Sequence, residues 1–404
     1  MAPPLGTMDA PETPCLIDRW RRPYTPGLFT PEEFEQYWTL GFVLKKDVFA
    51  PEELEPAREA VNRGVADIAD DLFKAGKIKN KHEDAPLETR LTLIEEQFPS
   101  ASVLLHKRGV LPKEFQALWT DPRLMSVARQ LLGDDIGGHP VWNLRPKTPQ
   151  QEQATVPWHQ DAAYLDKVAW EVHQVTAWIP LVPASERNGC MQVVPGGHRT
   201  GRTAKHTCCA GGTWYVELDE TDAAQTLGVD LQSAALTCEV PLGGVLFLNN
   251  ILPHRSLNNL SDGIRWSLDL RWQKWDQPAG FYGLKEVIPM TKSGQPDYKV
   301  DWDGWANLSR SALQEGILKP ETKSLVETVK AIDASHVVEP VLKIDGVSSV
   351  MLSVAKSPDS PTSTLGDPFD TTIAGPWMDQ WPIVFHNRHT ERHERGSVQG
   401  WHKA

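Results

Sequence analysis

Nine consecutive residues, Ile264 to Trp272, alternate apolar and polar without a break. Successive side chains of a β-strand point to opposite faces. Ile264, Trp266, Leu268, Leu270 and Trp272 therefore share one face, and Arg265, Ser267, Asp269 and Arg271 share the other. A helix would scatter both sets around its axis, so the chain must contain a long strand with an apolar back and a polar front. Two settings suit such a strand. It is either half-buried with its polar face in water, or a barrel strand whose polar face lines an interior that binds a polar ligand.

The rest of the chain shows what this strand packs with. Thr30-Pro31-Glu32-Glu33 reads as a helix start, with Thr30 as cap, Pro31 at the first helical position and Glu33 three residues after the cap; Gly41 ends that helix. Phe42–Leu44 reads as a short strand. Leu54, Ala57, Val61, Ile68 and Leu72 recur at helical spacing, which predicts a helix over 51–75 closed by Gly76. The charged stretch 77–100 reads as a surface segment, followed by helices over about 112–119 and 122–132 with a stop at Gly133. From about 139 the pattern turns to strands: His173–Leu181, Met191–Val194, Leu236–Val240, Val245–Asn249 and Ile264–Trp272, separated by Gly, Pro and Asn turns. Helices first and short strands after predict an α+β chain with a helix-supported β barrel or sandwich.

The predicted divisions are a flexible arm over 1–28, a folded domain over 29–280 and an extension over 281–404. In the extension, 311–332 reads as helical and 355–375 as loop. A net charge of −12 disfavours nucleic acid as a partner, and no apolar run is long enough for a membrane span. The first residues lack the basic and apolar blocks of a secretory signal. The five sparse cysteines suit a reducing, cytoplasmic setting better than a disulfide scaffold, and the neighbours Cys208 and Cys209 read as a loop or strand pair. Nothing in the sequence speaks to an oligomeric state.

Reactive groups concentrate around Val156-Pro157-Trp158-His159-Gln160-Asp161. In extended backbone, His159 and Asp161 present an imidazole and a carboxylate on one side. A histidine from a distant strand would complete a facial set of two histidines and one carboxylate, the set that leaves open positions on iron(II). One His-x-Asp is weak alone, since 13 histidines and 53 acids make chance matches common. His254 strengthens it. It follows the run Val245–Leu248 and Pro253, and Arg265 comes eleven residues later, enough for a turn and a return strand. Arg265 offers a planar fork to a carboxylate, and Ser267 shares its face as a second donor.

His159-x-Asp161, His254 and Arg265 in this order resemble the phytanoyl-CoA dioxygenase (PhyH) family of 2-oxoglutarate oxygenases. Val175-Thr176-Ala177-Trp178, Asn188-Gly189-Cys190-Met191, Val194-Pro195-Gly196-Gly197-His198 and Gly41-Phe42-Val43 carry the likeness further, over about residues 30–275. The resemblance implies a double-stranded β-helix core. It implies His159, Asp161 and His254 as ligands of Fe(II), and Arg265 with Ser267 on the distal carboxylate of 2-oxoglutarate. Trp178 and Arg145 would line the cosubstrate pocket, and His198 would be structural. It implies dioxygen as oxidant, ascorbate as a supporting reductant and a small-molecule substrate. The carboxylate ligand favours hydroxylation, or a related desaturation or ring closure, over halogenation.

Two other readings stand beside it: a metal- or ligand-binding barrel without turnover, and an oxygenase acting on a peptide or protein. A pure binder has no use for Arg265. The long connection between Gly201 and Leu236 reads as a lid or pocket wall. His386, His389 and His393 are spaced to share a helix face, but no acid or cysteine completes a metal set, so they read as polar surface or a partner contact.

Overall fold

A computed structural model describes residues 15–108, 111–151, 155–306 and 367–394. The helix expected over 311–332 lies outside them. Contacts divide the chain into two compact units, residues 1–308 with 371–404, and residues 309–370. Of the second unit only 367–370 is described, a turn closed by the Asp370 amide on the Asp367 carbonyl.

Part of the stretch expected as an arm is folded. Leu16 and Ile17 of helix α1 (Leu16–Trp20) are buried, and Trp20 stacks on His173 with ring centroids 4.8 Å apart. Helix α2 (Pro31–Leu40) opens with the expected reciprocal cap. The Thr30 hydroxyl accepts from the Glu33 amide, and the Glu33 carboxylate accepts from the Thr30 amide. Gly41 ends it in the left-handed region (φ 85°), where a Cβ would also meet the His198 ring at 2.7 Å. Strand β1 (Phe42–Lys45) follows, then helix α3 (Glu55–Lys74), which buries Ala57, Val61, Val65, Ile68 and Leu72.

The charged segment after it departs from expectation. It forms helix α4 (Leu87–Glu95), with Arg90, Leu91, Ile94 and Glu95 buried, and helix α5 (Ala101–Arg108) follows. The charges hid this burial because they are satisfied internally. Arg90 donates to Asn62 and to the Lys81 carbonyl, and Glu95 accepts from the Ser102 amide and Gln151. Helices α6 (Lys113–Trp119) and α7 (Pro122–Leu132) stand where the sequence puts them.

In the strand half every pairing between named strands is antiparallel. Its pieces are β2 (Ile136–Gly138), β3 (Asn143–Lys147), β4 (Val175–Pro180), β5 (Met191–Val193), β6 (His206–Cys208), β7 (Val216–Leu218), β8 (Leu236–Cys238), β9 (Val245–Asn249), β10 (His254–Ser256), β11 (Arg265–Lys274) and β12 (Ile288–Pro289). Helix α8 (Glu220–Thr226) lies between β7 and β8, and helix α9 (Trp302–Ala306) follows β12. The larger sheet runs β1-β9-β4-β11-β2-β12, with β3 also on β11. The smaller runs β10-β5-β8, and β6 pairs with β7 as a hairpin. The two facing sheets form the double-stranded β-helix.

β11 is the alternating strand that the sequence shows, and both its faces are buried. The apolar back packs under the helices. Trp266 donates to the Leu87 carbonyl of α4, Trp272 to the Trp119 carbonyl of α6, and Trp119 in return to the Arg271 carbonyl. The polar front is therefore turned into the barrel rather than toward water. Burying about five large apolar side chains at roughly 1.5–3 kcal/mol each fixes this register, because a slip of one residue would exchange the two faces.

Residues 371–394 return to the barrel. Ile373, Ala374, Trp377 and Met378 are buried against Val103, Ala163, Cys208, Cys209 and Val216, and Ile383 bridges Cys208. A short helix, α10 (Arg388–Glu394), closes the described part. Cys208 and Cys209, expected as a loop or strand pair, are joined as a disulfide between neighbours, whereas Cys15, Cys190 and Cys238 are free. Among the described residues no helix is long and apolar enough to cross a membrane.

Candidate active site

His159 and Asp161 are brought together by extended backbone, but not by a regular strand. His159 makes a single β-bridge with His254, each amide donating to the other's carbonyl at 3.0 Å. Gln160 is extended (φ −109°, ψ 132°), and Asp161 opens a 3-10 turn. That one bridge places the third histidine opposite the first. His159 Nε2 and His254 Nε2 lie 3.6 and 3.8 Å from Asp161 Oδ1. Among the described residues this is the one cluster of His, Cys, Asp and Glu whose ligand atoms lie within 4.8 Å of one another.

The surroundings suit a metal ion. Nδ1 of His159 is 2.8 Å from the Pro157 carbonyl, and Nδ1 of His254 is 2.9 Å from the Leu252 carbonyl. A carbonyl can only accept, so both Nδ1 atoms carry the hydrogen and both Nε2 lone pairs face the cluster. Burial holds His254 neutral, pushing it down to about 4 with help from the nearby His159. Burial opposes ionisation of Asp161, but the charge of Arg271 beside it outweighs this and holds the carboxyl well below the usual range. Two neutral imidazoles and one carboxylate are the donors that a ferrous ion takes.

Arg265, Trp178 and Arg145 line the same cavity, together with Met191, Lys147 and Thr176. Arg265 is buried, with its guanidinium 5.1 Å from the centre of the Trp178 ring. It donates to the Ser267 hydroxyl and, at 3.2 Å, to the carbonyl of Gly189. Gly189 sits at φ 84°, and a Cβ there would meet the Leu257 carbonyl at 2.5 Å, so only glycine brings that carbonyl to the arginine. Among the described residues no carboxylate pairs with Arg265. Burial pushes the guanidinium down to about 10. Ser267 lies behind Arg265 as its acceptor, with its own hydrogen left to donate.

Arg145 faces the other way. Its Nε donates to Asp269 at 3.1 Å, and its side chain also lines an adjoining cavity. That second cavity is walled by Val141, Tyr164, Leu165, Trp214, Phe281 and Trp377. Trp214 and Tyr215 come from the turn between β6 and β7, so the long connection expected as a pocket wall is one. Trp377 comes from the returning segment.

Several site residues were not singled out from the sequence. Arg271 pairs with Asp161, and its signal was present, because it shares the polar face of β11 with Arg265. Thr176 donates to Asp161 at 3.2 Å and is one of the residues of the Val175–Trp178 motif. Lys147 is opposite Arg265 across β3 and β11, with its amine on Thr155. Burial, with Arg265 and Arg145 nearby, pushes that amine well below the ordinary lysine range. His106, Trp214 and Trp377 carry no local signal, since tertiary packing alone brings them here.

His198, His389 and His393 make structural contacts. His198 Nε2 meets the Trp38 carbonyl at 3.1 Å. His389 accepts from the Ile373 amide, and His393 pairs with Asp379; among the described residues the C-terminal histidines form no cluster that could hold an ion.

The chain is similar to several known proteins. The family model described as Phytanoyl-CoA dioxygenase (PhyH) matches residues 37–267. The 1-deoxypentalenic acid 11-beta-hydroxylase of Streptomyces exfoliatus is 27% identical over 234 residues, 56% of this chain and 79% of that protein. The enzyme of the same name from Streptomyces arenae is 26% identical over 208 residues, 50% of this chain and 70% of that protein. Among solved structures, EctD from S. alaskensis with 2-oxoglutarate and 5-hydroxyectoine aligns at 18% identity with a TM-score of 0.42, over 62% of this chain and 78% of that one. EvdO2 from Micromonospora carbonacea var. aurantiaca, complexed with 2-oxoglutarate, aligns at 19% with a TM-score of 0.41, over 70% of this chain and 98% of that one. The chain belongs to the phytanoyl-CoA dioxygenase (PhyH) family and is a non-haem iron dioxygenase that uses 2-oxoglutarate and acts on a small molecule.

Proposed function

We propose that this chain hydroxylates a C–H bond of a small organic substrate, with iron(II) held by His159, Asp161 and His254. The distal carboxylate of 2-oxoglutarate pairs with Arg265, beside Ser267 and against the face of Trp178. Iron, 2-oxoglutarate and dioxygen supply the oxidising chemistry when bound, and the chain supplies orientation and a dry cavity. The observation that carries this reading is Arg265. A buried guanidinium with no carboxylate partner among the described residues, in the same cavity as a facial metal set, is costly unless an anionic ligand completes it.

Hydroxylation is favoured over the other outcomes of this chemistry by Asp161, which fills the third ligand position and leaves no gap there for a halide. The relatives matched over most of their length are named as hydroxylases. The substrate occupies the second cavity, between the metal set and the wall formed by Trp214 and Trp377. The cytoplasm, where 2-oxoglutarate and ferrous iron are available, is the compartment that fits.

The test is incubation of the iron-loaded protein with 2-oxoglutarate and a metabolite library under isotopically labelled dioxygen. A product heavier than its substrate by one labelled oxygen supports hydroxylation. A product lighter by two hydrogens moves the assignment to desaturation or ring closure. Binding of library members without any product points to a barrel that does not turn over.

A further inference from the structure

We propose that the returning segment is a positioning element of the metal centre: Trp381 fixes the backbone that carries His159 and Asp161, directly at Ala163 and indirectly through His206. This rests on the reading of His159, Asp161 and His254 as the metal set.

The first observation is that the ligand-bearing backbone has little regular structure to hold it. His159 has a single β-bridge, to His254, and Asp161 already opens a 3-10 turn. The spacing of imidazole and carboxylate is therefore set by Gln160 between them. Gln160 is fully buried, and its polar groups are all engaged. Its side-chain Nε2 donates to the Arg202 and Ile251 carbonyls at 3.0 and 2.6 Å, and its Oε1 accepts from the Ala204 amide at 2.8 Å. Its carbonyl accepts from the Ala163 amide at 2.9 Å, and its amide donates to His206 Nε2 at 3.1 Å. His206 can accept there because its Nδ1 keeps the hydrogen, 2.9 Å from the Ala204 carbonyl.

The second observation is what braces this arrangement. Trp381 belongs to the returning segment, outside the residues that the family model matches. Its indole nitrogen donates to the Ala163 carbonyl at 2.8 Å, and its ring rests against that of His206 with centroids 5.1 Å apart. Trp170 stacks on the same indole, with centroids 5.8 Å apart and planes within 7° of parallel. Next to it, Gln380 donates to the Leu165 carbonyl at 2.8 Å. Two residues of the returning segment thus grip the turn that Asp161 opens, and one of them also backs the histidine that holds Gln160.

The third observation separates positioning from lining. Trp381, His206 and Gln160 line neither cavity, whereas Trp377, earlier in the same segment, walls the second one. Any effect of Trp381 on the chemistry must therefore pass through the backbone between His159 and Ala163. Such an effect is large enough to measure. A metal set works only when its ligands are held within about 0.5 Å and roughly 10–20° of their productive geometry. Removing a group that orients a ligand from behind typically costs about 10–100-fold in metal affinity.

The experiment titrates the full chain with cobalt(II), whose visible absorption reports ligand geometry without turnover. Wild type should bind cobalt, and Asp161→Ala should not. Trp381→Ala should bind it about tenfold to a hundredfold more weakly, with an altered absorption spectrum. Trp381→Phe keeps a ring against His206 but loses the N–H, and should fall between the two. His206→Leu removes the acceptor of the Gln160 amide and should reproduce the loss, whereas His206→Gln supplies an acceptor again and should recover part of it. These variants carry the test if Trp381→Ala does not fold. Val61→Ala, a core change in α3 that lines neither cavity, should lower stability and leave cobalt affinity and spectrum alone. Wild-type affinity and spectrum in folded Trp381 and His206 variants would overturn the proposal. So would a loss that Val61→Ala reproduces at equal cost in stability. Cobalt bound alike by wild type and Asp161→Ala would overturn the reading of the metal set itself, and the proposal with it.

Discussion

Arg271 grips Asp161 from the side: its Nε lies 3.2 Å from Oδ2, and one terminal nitrogen lies 3.2 Å from each carboxylate oxygen. The pair is buried, and it supports the one anionic member of the metal set before any ion arrives. Replacing Arg271 with Met strands a buried carboxylate. The metal-free protein should lose about 3–5 kcal/mol of stability. Added iron or zinc should then stabilise the variant more than the wild type, because the ion takes over the neutralising role. Denaturant titrations with and without metal check this. An unchanged metal-free stability would contradict it.

Arg265→Ala separates cosubstrate from metal. Truncating one partner of a buried charge pair costs about 2–5 kcal/mol. The affinity for 2-oxoglutarate, read by calorimetry, should fall by that amount, while metal affinity stays near the wild-type value. A 2-oxoglutarate affinity unmoved by the substitution would take Arg265 out of its role.

Acid should unfold this protein early. Burial pushes His106, His173 and His206 down to about 3, and His139 and His198 down to about 4. In the unfolded chain a histidine titrates near ~6.5. Between those values the unfolded chain binds protons that the folded chain refuses. Stability is therefore full above about pH 6.5 and falls as the pH drops toward 4, by up to about 1.4 kcal/mol per pH unit for each histidine. Urea midpoints between pH 7 and 4.5 measure the slope. A flat profile would show that these rings are not held neutral.

Trp377 tests the returning segment. It is buried, it donates to the Trp214 carbonyl, and it walls the second cavity. Trp377→Ala should cost about 3–5 kcal/mol and raise the KM for the substrate, with 2-oxoglutarate affinity preserved. Equal losses in substrate and cosubstrate binding would mean that the segment holds up the whole barrel rather than one cavity.

Two members of the candidate metal set are legible because their geometry is local, whereas His254 reaches them through a bridge across the barrel. His159 and Asp161 are two residues apart in extended backbone, and Arg265 and Ser267 repeat that spacing on a strand whose alternation declares which way they point. Arg271 was visible on the same face, yet its partner was not, since the pairing depends on where the chain around Asp161 is folded. Helix α4 reads as surface in the sequence because its charges suggest exposure. Arg90 and Glu95 are buried with partners drawn from segments well removed in sequence. The second cavity was illegible for the same reason. Trp214 and Trp377 are 163 residues apart, and nothing in either neighbourhood announces the other.

The central claim is that this barrel turns over 2-oxoglutarate at His159, Asp161 and His254. The most direct measurement is succinate release by protein reconstituted anaerobically with iron(II), then exposed to air with 2-oxoglutarate and ascorbate. Wild type should release succinate in an iron-dependent way, and Asp161→Ala should release none. No succinate from wild-type protein shown to hold iron, or full activity in Asp161→Ala, would contradict the account.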